Sequence, residues 1–287
     1  MARTTVVVAT RNRVDELART LTRLKNLSVP VIVVDNGSSD GTTTRVRRDF
    51  PWVRTVALPR NIGASARNHG VRLARTAYVA FSDDDSWWSP DALRKAEQLF
   101  ERCPALGLVA GRVVVEPAGT EDPVCAEMAS SRLGRLPELP GPSVLGFICC
   151  ASIVRRDAFL GVGGFNPVLF FAGEERLFSW DMAATGWACC YVDDVVAYHQ
   201  PSKIRGPSGA RRRAELRNDL LTTWLRRPAM VAITETVGLA KRGVGDRDAR
   251  AALGAAVLRL PEVVRQRHRL PADVERQVKL LSRKVSR

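Results

Sequence analysis

No run of about eighteen charge-free apolar residues occurs in the chain, so a membrane-spanning helix is not expected. The opening segment MARTTVVVATRNR holds too short an apolar run to read as a signal peptide or a membrane anchor. No cysteine pair has the C-x-x-C spacing of a metal site. Cys103, Cys125, Cys149–Cys150 and Cys189–Cys190 read instead as small buried apolar residues, which points to a reducing cytoplasm. No internal repeat is visible. Acidic residues are scarce in one region: from Lys203 to Arg287, 21 Lys and Arg stand against 8 Asp and Glu. That segment therefore carries +13 of the net +14, and the first 202 residues carry +1. Such a tail suits a polyanion or an anionic membrane face, or else is a helical appendage with a solvated basic face.

The 287 residues suffice for one large core, or for a catalytic domain with a smaller appendage. Up to Trp88, short apolar runs alternate with helical segments. The runs are Thr5–Ala9, Val31–Asp35, Val53–Leu58 and Tyr78–Ser82; between them Leu17, Leu21 and Leu24 recur at helical spacing, as do Val71 and Ala74. Runs rich in β-branched residues without polar alternation predict strands covered on both faces, and strand–helix alternation predicts a parallel sheet. Ligands of such sheets sit beyond the carboxyl ends of the strands. The polar motifs lie there: Thr10-Arg11, Asp35-Asn36 and Asp83-Asp84-Asp85. Ser89-Pro90 opens a predicted helix to Arg102. Gly107–Val115, Phe147–Val154 and Ala188–Val192 read as strands, Glu174–Thr185 as a helix, and Glu116–Pro142 as a long loop with a helical turn near Cys125–Leu133. From Ser208 the pattern is helical, with Leu216, Leu220, Leu221 and Trp224 spaced to pack as one face.

The acidic triplet follows Tyr78-Val79-Ala80-Phe81 and precedes Trp87-Trp88. Adjacent carboxylates repel unless a cation or strong donors compensate them. A divalent cation held by one or two carboxylates and substrate phosphates, Mg²⁺ or Mn²⁺, suits the triplet; the plainer reading is a polar turn capping a helix. Asp35-Asn36-Gly37 is good turn chemistry, and Asp35 can also accept an N–H from a base. Glu174-Glu175 fits a helix N-terminus stabilised by the dipole or a general base. His199, one of three histidines, is structural or a ligand.

In order, VVVATRNR, VVDNGSSDGT, RNIGASARNHGVRLA, FSDDDSWW, GFICCASIVRRDAFLGVGGFN, AGEERLFSWDMAATGW and VVAYH resemble glycosyltransferase family 2, over roughly residues 4 to 200. The resemblance implies a GT-A fold, a Rossmann-like, mostly parallel α/β sheet flanked by helices, over residues 1–205, with a basic helical extension over 206–287. It implies an inverting enzyme that moves a sugar from a nucleotide diphosphate, UDP or dTDP favoured, to an acceptor hydroxyl. The family's DxD motif falls on Asp83 and Asp85. Asp85 is the implied metal ligand, with Asp83 or Asp84 at the ribose or the metal's water shell, and His199 completes the metal shell. Asp35 is the implied base contact; Thr10, Arg11 and Arg13 are expected to line the nucleotide pocket, together with Arg67 and Asn68. Glu175 is the implied general base, although the family usually has Glu-Asp where this chain has Glu174-Glu175, and Leu177 replaces a common acid. The segment QPSKIRGPSGARRR after His199 is either a lid whose cations reach the diphosphate or a solvated linker.

Two other readings are a nucleotidyltransferase and a non-enzymatic basic adaptor for membrane or nucleic acid. The first lacks its Gly-rich phosphate loop, since Thr10-Arg11-Asn12-Arg13 follows the first strand. The second leaves the acidic triplet and Glu174-Glu175 unexplained. Nucleic acid is not an expected partner; the expected location is the cytoplasm, with peripheral contact to an anionic membrane through the tail.

Overall fold

The computed structural model describes residues 2–202 and 208–282. Strand and helix alternate first: β1 (Thr4–Thr10), α1 (Val14–Leu24), β2 (Val31–Asp35), α2 (Thr42–Asp49), β3 (Arg54–Ala57), α3 (Ala66–Leu73) and β4 (Tyr78–Asp83). Then come β5 (Ser86–Trp88), α4 (Ala92–Arg102), β6 (Leu106–Val115), β7 (Thr120–Glu121), α5 (Pro123–Ala129), β8 (Ser152–Arg155), α6 (Arg156–Gly161), α7 (Glu174–Ala184) and β9 (Ala188–His199). Five helices follow among the described residues: α8 (Ser208–Arg226), α9 (Ala229–Gly243), α10 (Arg247–Val257), α11 (Leu260–Gln266) and α12 (Ala272–Ser282).

Among the described residues one sheet runs β3-β2-β1-β4-β8-β6-β9-β5, with β7 beside β6. The block β3-β2-β1-β4 is parallel, as the alternation requires. Beyond it β8 runs antiparallel to both β4 and β6, β9 is parallel to β6, and β5 is antiparallel to β9. Register places Thr10 opposite Asp35 and Ala9 opposite Asp83, so the carboxyl ends of β1, β2 and β4 share one edge. Val6, Val7 and Val8 are fully buried, and Leu17, Leu21 and Leu24 turn the apolar face of α1 into the same core. Phe81, Phe159, Phe165 and Phe178 knit β4, α6, α7 and the segment before α7 into that core, with ring centroids 5.0–5.6 Å apart.

Several elements differ from the sequence expectation. β3 lies at the sheet edge and is half-exposed rather than covered on both faces. The strand expected from Phe147 begins only at Ser152, because Cys149–Ala151 form a 3-10 turn closed by the Ser152 hydroxyl on the Cys149 carbonyl at 2.9 Å. Such local bonds compete with a sheet ladder. β9 continues past Val192 to His199 through an irregularity opposite Gly111 and Arg112, where the exposed acids Asp193 and Asp194 interrupt the apolar run. The expected loop 116–142 contains β7 and α5, the latter capped by Asp122 with Pro123 in its first turn. The expected boundary at 205/206 lies outside the described residues.

The apolar face foreseen on α8 is present. Leu220, Leu221, Trp224 and Leu225 are buried against Val168, Leu169 and Leu177 of the sheet-bearing part, and Leu216 packs on them partly buried. Arg226 adds a buried two-pronged bond to Asp181 of α7, at 2.5 and 2.8 Å, and donates to the Gln266 carbonyl at 3.1 Å. One guanidinium thus ties α7, α8 and α11 together. Removing one partner of a buried pair leaves the other charge uncompensated, so Arg226→Met should cost about 3 to 5 kcal/mol, read as a melting temperature lowered by roughly 10 °C. A shift under about 2 °C would show that Asp181 is solvated or repaired by a neighbour.

Candidate active site

The end of β4 becomes the acidic turn, and β5 starts at once. Ser86 pairs in register with His199 of β9. That pairing carries the His199 Nε2 to 3.3 Å from Asp85 Oδ1. The other Asp85 oxygen accepts from Arg13 Nη1 and the Ser202 main-chain N–H, each at 3.2 Å, and the Asp85 carbonyl accepts from Gln200 N–H at 2.9 Å. The chain leaving β9 therefore folds back over this aspartate. Burial opposes ionisation of Asp85, but His199, the Ser202 N–H and Arg13 outweigh it and hold its carboxyl below the usual range. Burial likewise disfavours the imidazolium of His199, but Asp85 outweighs it and raises that pKa.

Asp84 is buried and accepts from the Thr10 hydroxyl at 2.8 Å and Arg13 Nη1 at 3.0 Å. Burial pushes its carboxyl up to about 7; Arg13 pulls the other way, and the charges of Asp83 and Asp85 add to the rise. Asp83 is about one-third exposed and pairs with the buried Arg67, Nη2 to Oδ1 2.5 Å. Among the described residues no group of three or more His, Cys, Asp or Glu side chains converges to hold a metal ion. Asp85 and His199 nevertheless set two donors side by side next to Asp83. This set fits a hard cation that takes few protein donors and fills its shell with phosphate oxygens and water.

Glu174 and Glu175 open α7 after Gly173, whose φ is 82°. The preceding loop carries two further left-handed residues, Phe170 at 64° and Ala172 at 75°. Its Phe170 carbonyl accepts from Ala64 N–H at 2.6 Å. Gly63, φ 66°, abuts the same carbonyl: a Cβ there would lie 1.9 Å from the Phe170 oxygen. Only glycine admits this contact. The turn before α3 and the loop before α7 are thereby joined. Glu174 is buried, and its Oε2 and Arg67 Nε have no hydrogen-bond partner among the described residues. Burial raises the Glu174 carboxyl, partly offset by Arg67. Burial and the neighbouring Glu174 charge push Glu175 up to about 8. Asp83 and Arg67 act electrostatically on both glutamates, so the DxD motif and the acidic pair share one neighbourhood.

The other sequence-selected residues fall into distinct roles. Arg13 bridges Asp84 and Asp85, while Arg11 is exposed just past the end of β1. Thr10 is buried and spends its hydroxyl on Asp84, so both residues hold the turn rather than offer a free polar edge. Asp35 is buried; its oxygens accept from Ser38 N–H at 2.9 Å and from the Thr43 hydroxyl, which is the turn chemistry of Asp35-Asn36-Gly37. Asn68, an expected pocket residue, spends its amide on Phe165: it donates to that residue's carbonyl at 2.9 Å and accepts from its N–H at 3.0 Å. Of the expected lid, Lys203–Pro207 lie outside the described residues. Arg211, Arg212 and Arg213 pair with Glu215, Asp246 and Asp248.

Sequence reasoning missed contacts made by main chain. Gln200 and Ser202 reach Asp85 through backbone N–H groups, for which side-chain identity gives no signal. It also missed Asn36, whose amide bonds Asn61 at 2.9 Å, the Ile62 N–H at 2.9 Å and the Gly63 carbonyl at 3.0 Å, fixing the turn that meets Phe170. The recurrence of Asn in VVDNG and RNIG was the available clue.

Comparison with known proteins gives the family and the fold. Residues 5–162 match the family model described as "Glycosyl transferase family 2". The chain is 33% identical over 206 residues to a pre-mycofactocin glycosyltransferase of Mycobacterium tuberculosis, covering 68% of this chain and 42% of that protein. It is 32% identical over 146 residues to the succinoglycan biosynthesis protein ExoO of Rhizobium meliloti, covering 49% and 41%. The chain thus spans about two-fifths of the length of these relatives. Among solved structures, the mannosyltransferase PcManGT of Pyrobaculum calidifontis, in complex with GDP-Man and Mn²⁺, superposes with a TM-score of 0.61 at 21% identity, over 97% of this chain and 84% of that one. S. aureus TarS residues 1–349 give 0.59 at 18%, over 77% and 65%. The fold is GT-A.

Proposed function

Because the chain belongs to glycosyl transferase family 2, we propose that it is an inverting, divalent-metal-dependent enzyme moving a sugar from a nucleoside diphosphate to an acceptor hydroxyl. The observation that carries this reading is the shared neighbourhood of Glu175 with Arg67 and Asp83, beside the Asp85–His199 pair. Asp85 and His199, with Asp83, would hold the cation, which when bound shields the diphosphate charge. In this reading the exposed Arg11 meets phosphate, Arg13 lines the pocket while bridging Asp84 and Asp85, and Asp35 accepts the N3–H of uracil or thymine with its remaining lone pairs, which favours UDP or dTDP. Glu175 takes the acceptor proton as that oxygen attacks the anomeric carbon. The sugar–phosphate bond breaks in the same step, the nucleoside diphosphate leaves, and attack from the opposite face inverts the centre. The nucleotidyltransferase and adaptor readings assign no work to Glu175.

Thermal unfolding with a panel of nucleotide sugars and Mn²⁺ tests the donor side, since a ligand stabilises the fold according to its occupancy. UDP- or dTDP-sugars should raise the melting temperature, and excess EDTA or Asp85→Asn should remove most of that rise together with transfer. Full transfer in EDTA would remove the metal from this reading.

The raised pKa of Glu175 gives the base its own signature. A carboxyl near 8 is protonated, and unable to accept, below that pH, so kcat/KM should climb through this range rather than near the ordinary glutamate value. Glu175→Gln should flatten the limb and lower turnover roughly a hundredfold, with donor affinity kept. Glu174→Gln should be milder; a reversed ranking assigns the base to Glu174.

The tail supports a peripheral contact with anionic lipid. No helix among the described residues is long and apolar enough to cross a membrane. At the corner of α10 and α11, Leu258 is 79% and Val264 72% exposed, with Val257 and Leu260 also exposed and Arg259, Arg265 and Arg269 close in sequence. Each basic residue near such a surface contributes about 1 kcal/mol. One curated relative is an N-acetylglucosaminyl-diphospho-decaprenol L-rhamnosyltransferase, and a lipid-linked acceptor would place this corner to use. Anionic liposomes should retain the protein at low salt and release it at high salt; equal, salt-independent partitioning to neutral liposomes would assign these residues a structural role only.

A further inference from the structure

We infer that Asn218 of α8 is a positioning residue for the acceptor-side glutamates, gathering with its side-chain amide the carbonyls of the loop that launches α7. The inference rests on Glu175 as the base. It starts from the loop's backbone. Phe170, Ala172 and Gly173 have φ of 64°, 75° and 82°, and two of them carry a Cβ. Left-handed non-glycine residues persist only where their surroundings over-determine them. The carbonyls from Leu169 to Ala172 belong to no helix or strand and need donors from elsewhere.

Asn218 supplies those donors. It is 1% exposed, and its amide nitrogen lies 2.9 Å from the Leu169 carbonyl, 2.7 Å from that of Phe171 and 2.5 Å from that of Ala172. Its oxygen accepts from Arg217 Nε at 2.9 Å, and Arg217 Nη2 donates to the Leu169 carbonyl at 2.8 Å. Three acceptors on one side and a guanidinium on the other fix which end of the amide is nitrogen. The remaining carbonyl, Phe170, is held by Ala64 N–H on the donor-side turn. The loop is thus clamped from two sides within a few residues of Glu174 and Glu175. The basic helical region is therefore a component of the active site, acting through one neutral side chain rather than through its charge. The attachment of α8 itself does not depend on this residue, because Leu220, Leu221, Leu225 and Arg226 hold the helix independently.

The test uses the full chain with Asn218→Ala and the near-isosteric Asn218→Asp, which turns a carboxylate toward three carbonyls. Hydrogen exchange over residues 169–175 should accelerate in both variants while α8 and the sheet keep their protection. Turnover should fall roughly tenfold or more, since small misplacements of a catalytic group are costly, with donor KM within about twofold. Asp should be no better than Ala. In the Glu175→Gln background the added loss from Asn218→Ala should shrink to about twofold or less, because both changes remove one function. Unchanged exchange over 169–175 overturns the clamp whatever the role of Glu175. Faster exchange with full turnover, or losses that multiply undiminished with Glu175→Gln, overturns the positioning role. Full activity of Glu175→Gln alone overturns the base assignment and leaves the exchange result to judge the clamp by itself.

Discussion

Three carboxylates in consecutive residues at the end of β4 must be brought within a few ångströms of one another, and the neighbouring elements supply what makes that tolerable. Two like charges 4 Å apart repel by about 4 kcal/mol at an effective dielectric of 20. Each aspartate meets that cost with its own partner: Arg67 from α3 for Asp83, Thr10 and Arg13 from the end of β1 for Asp84, and His199, Arg13 and the Ser202 backbone for Asp85. These partners come from far apart in the chain, so the buried acidic turn is compensated only where β1, α3, β4 and β9 have come together. Charge compensation and sheet topology are one constraint here.

The same logic separates the two ends of the site. At the acidic turn compensation is uneven: Asp85, with His199, Arg13 and the Ser202 N–H, is held low despite burial, while Asp84 is pushed up to about 7. On the acceptor side it is incomplete: Arg67 serves Asp83 as well as the glutamates, and Glu174 and Glu175 both rise. One arginine shared among three carboxyls leaves Glu175 with its carboxyl pushed up to about 8. Pairs whose environments drive their pKa values apart divide acid–base labour in this way.

Much of this was legible in the sequence because burial on both faces leaves a strong mark. Val6 to Val8 and Leu17, Leu21 and Leu24 announced their elements, and the polar residues ending β1, β2 and β4 fell on one edge because a parallel register aligns them. The resemblance to the family supplied what periodicity could not, a reason to look at Asp83 and Glu175 together, and Asp83 does act electrostatically on Glu175. What escaped notice was non-local or carried by main chain. The reversal at β8 turns on a 3-10 turn whose residues, Cys149 to Ala151, have an ordinary strand composition. The contacts of Gln200 and Ser202 with Asp85 involve no side-chain signature, and Asn68 showed its family position without showing that its amide belongs to Phe165.

The contact between Gly63 and the Phe170 carbonyl bears on how such an enzyme can change over generations. A single added carbon at position 63 would fall 1.9 Å from that oxygen, in a backbone conformation that side chains already resist. A side chain at position 63 cannot be admitted without displacing Phe170, and with it the loop that carries Glu174 and Glu175. Substitutions that reshape one of the two segments must therefore be matched in the other or leave this seam untouched.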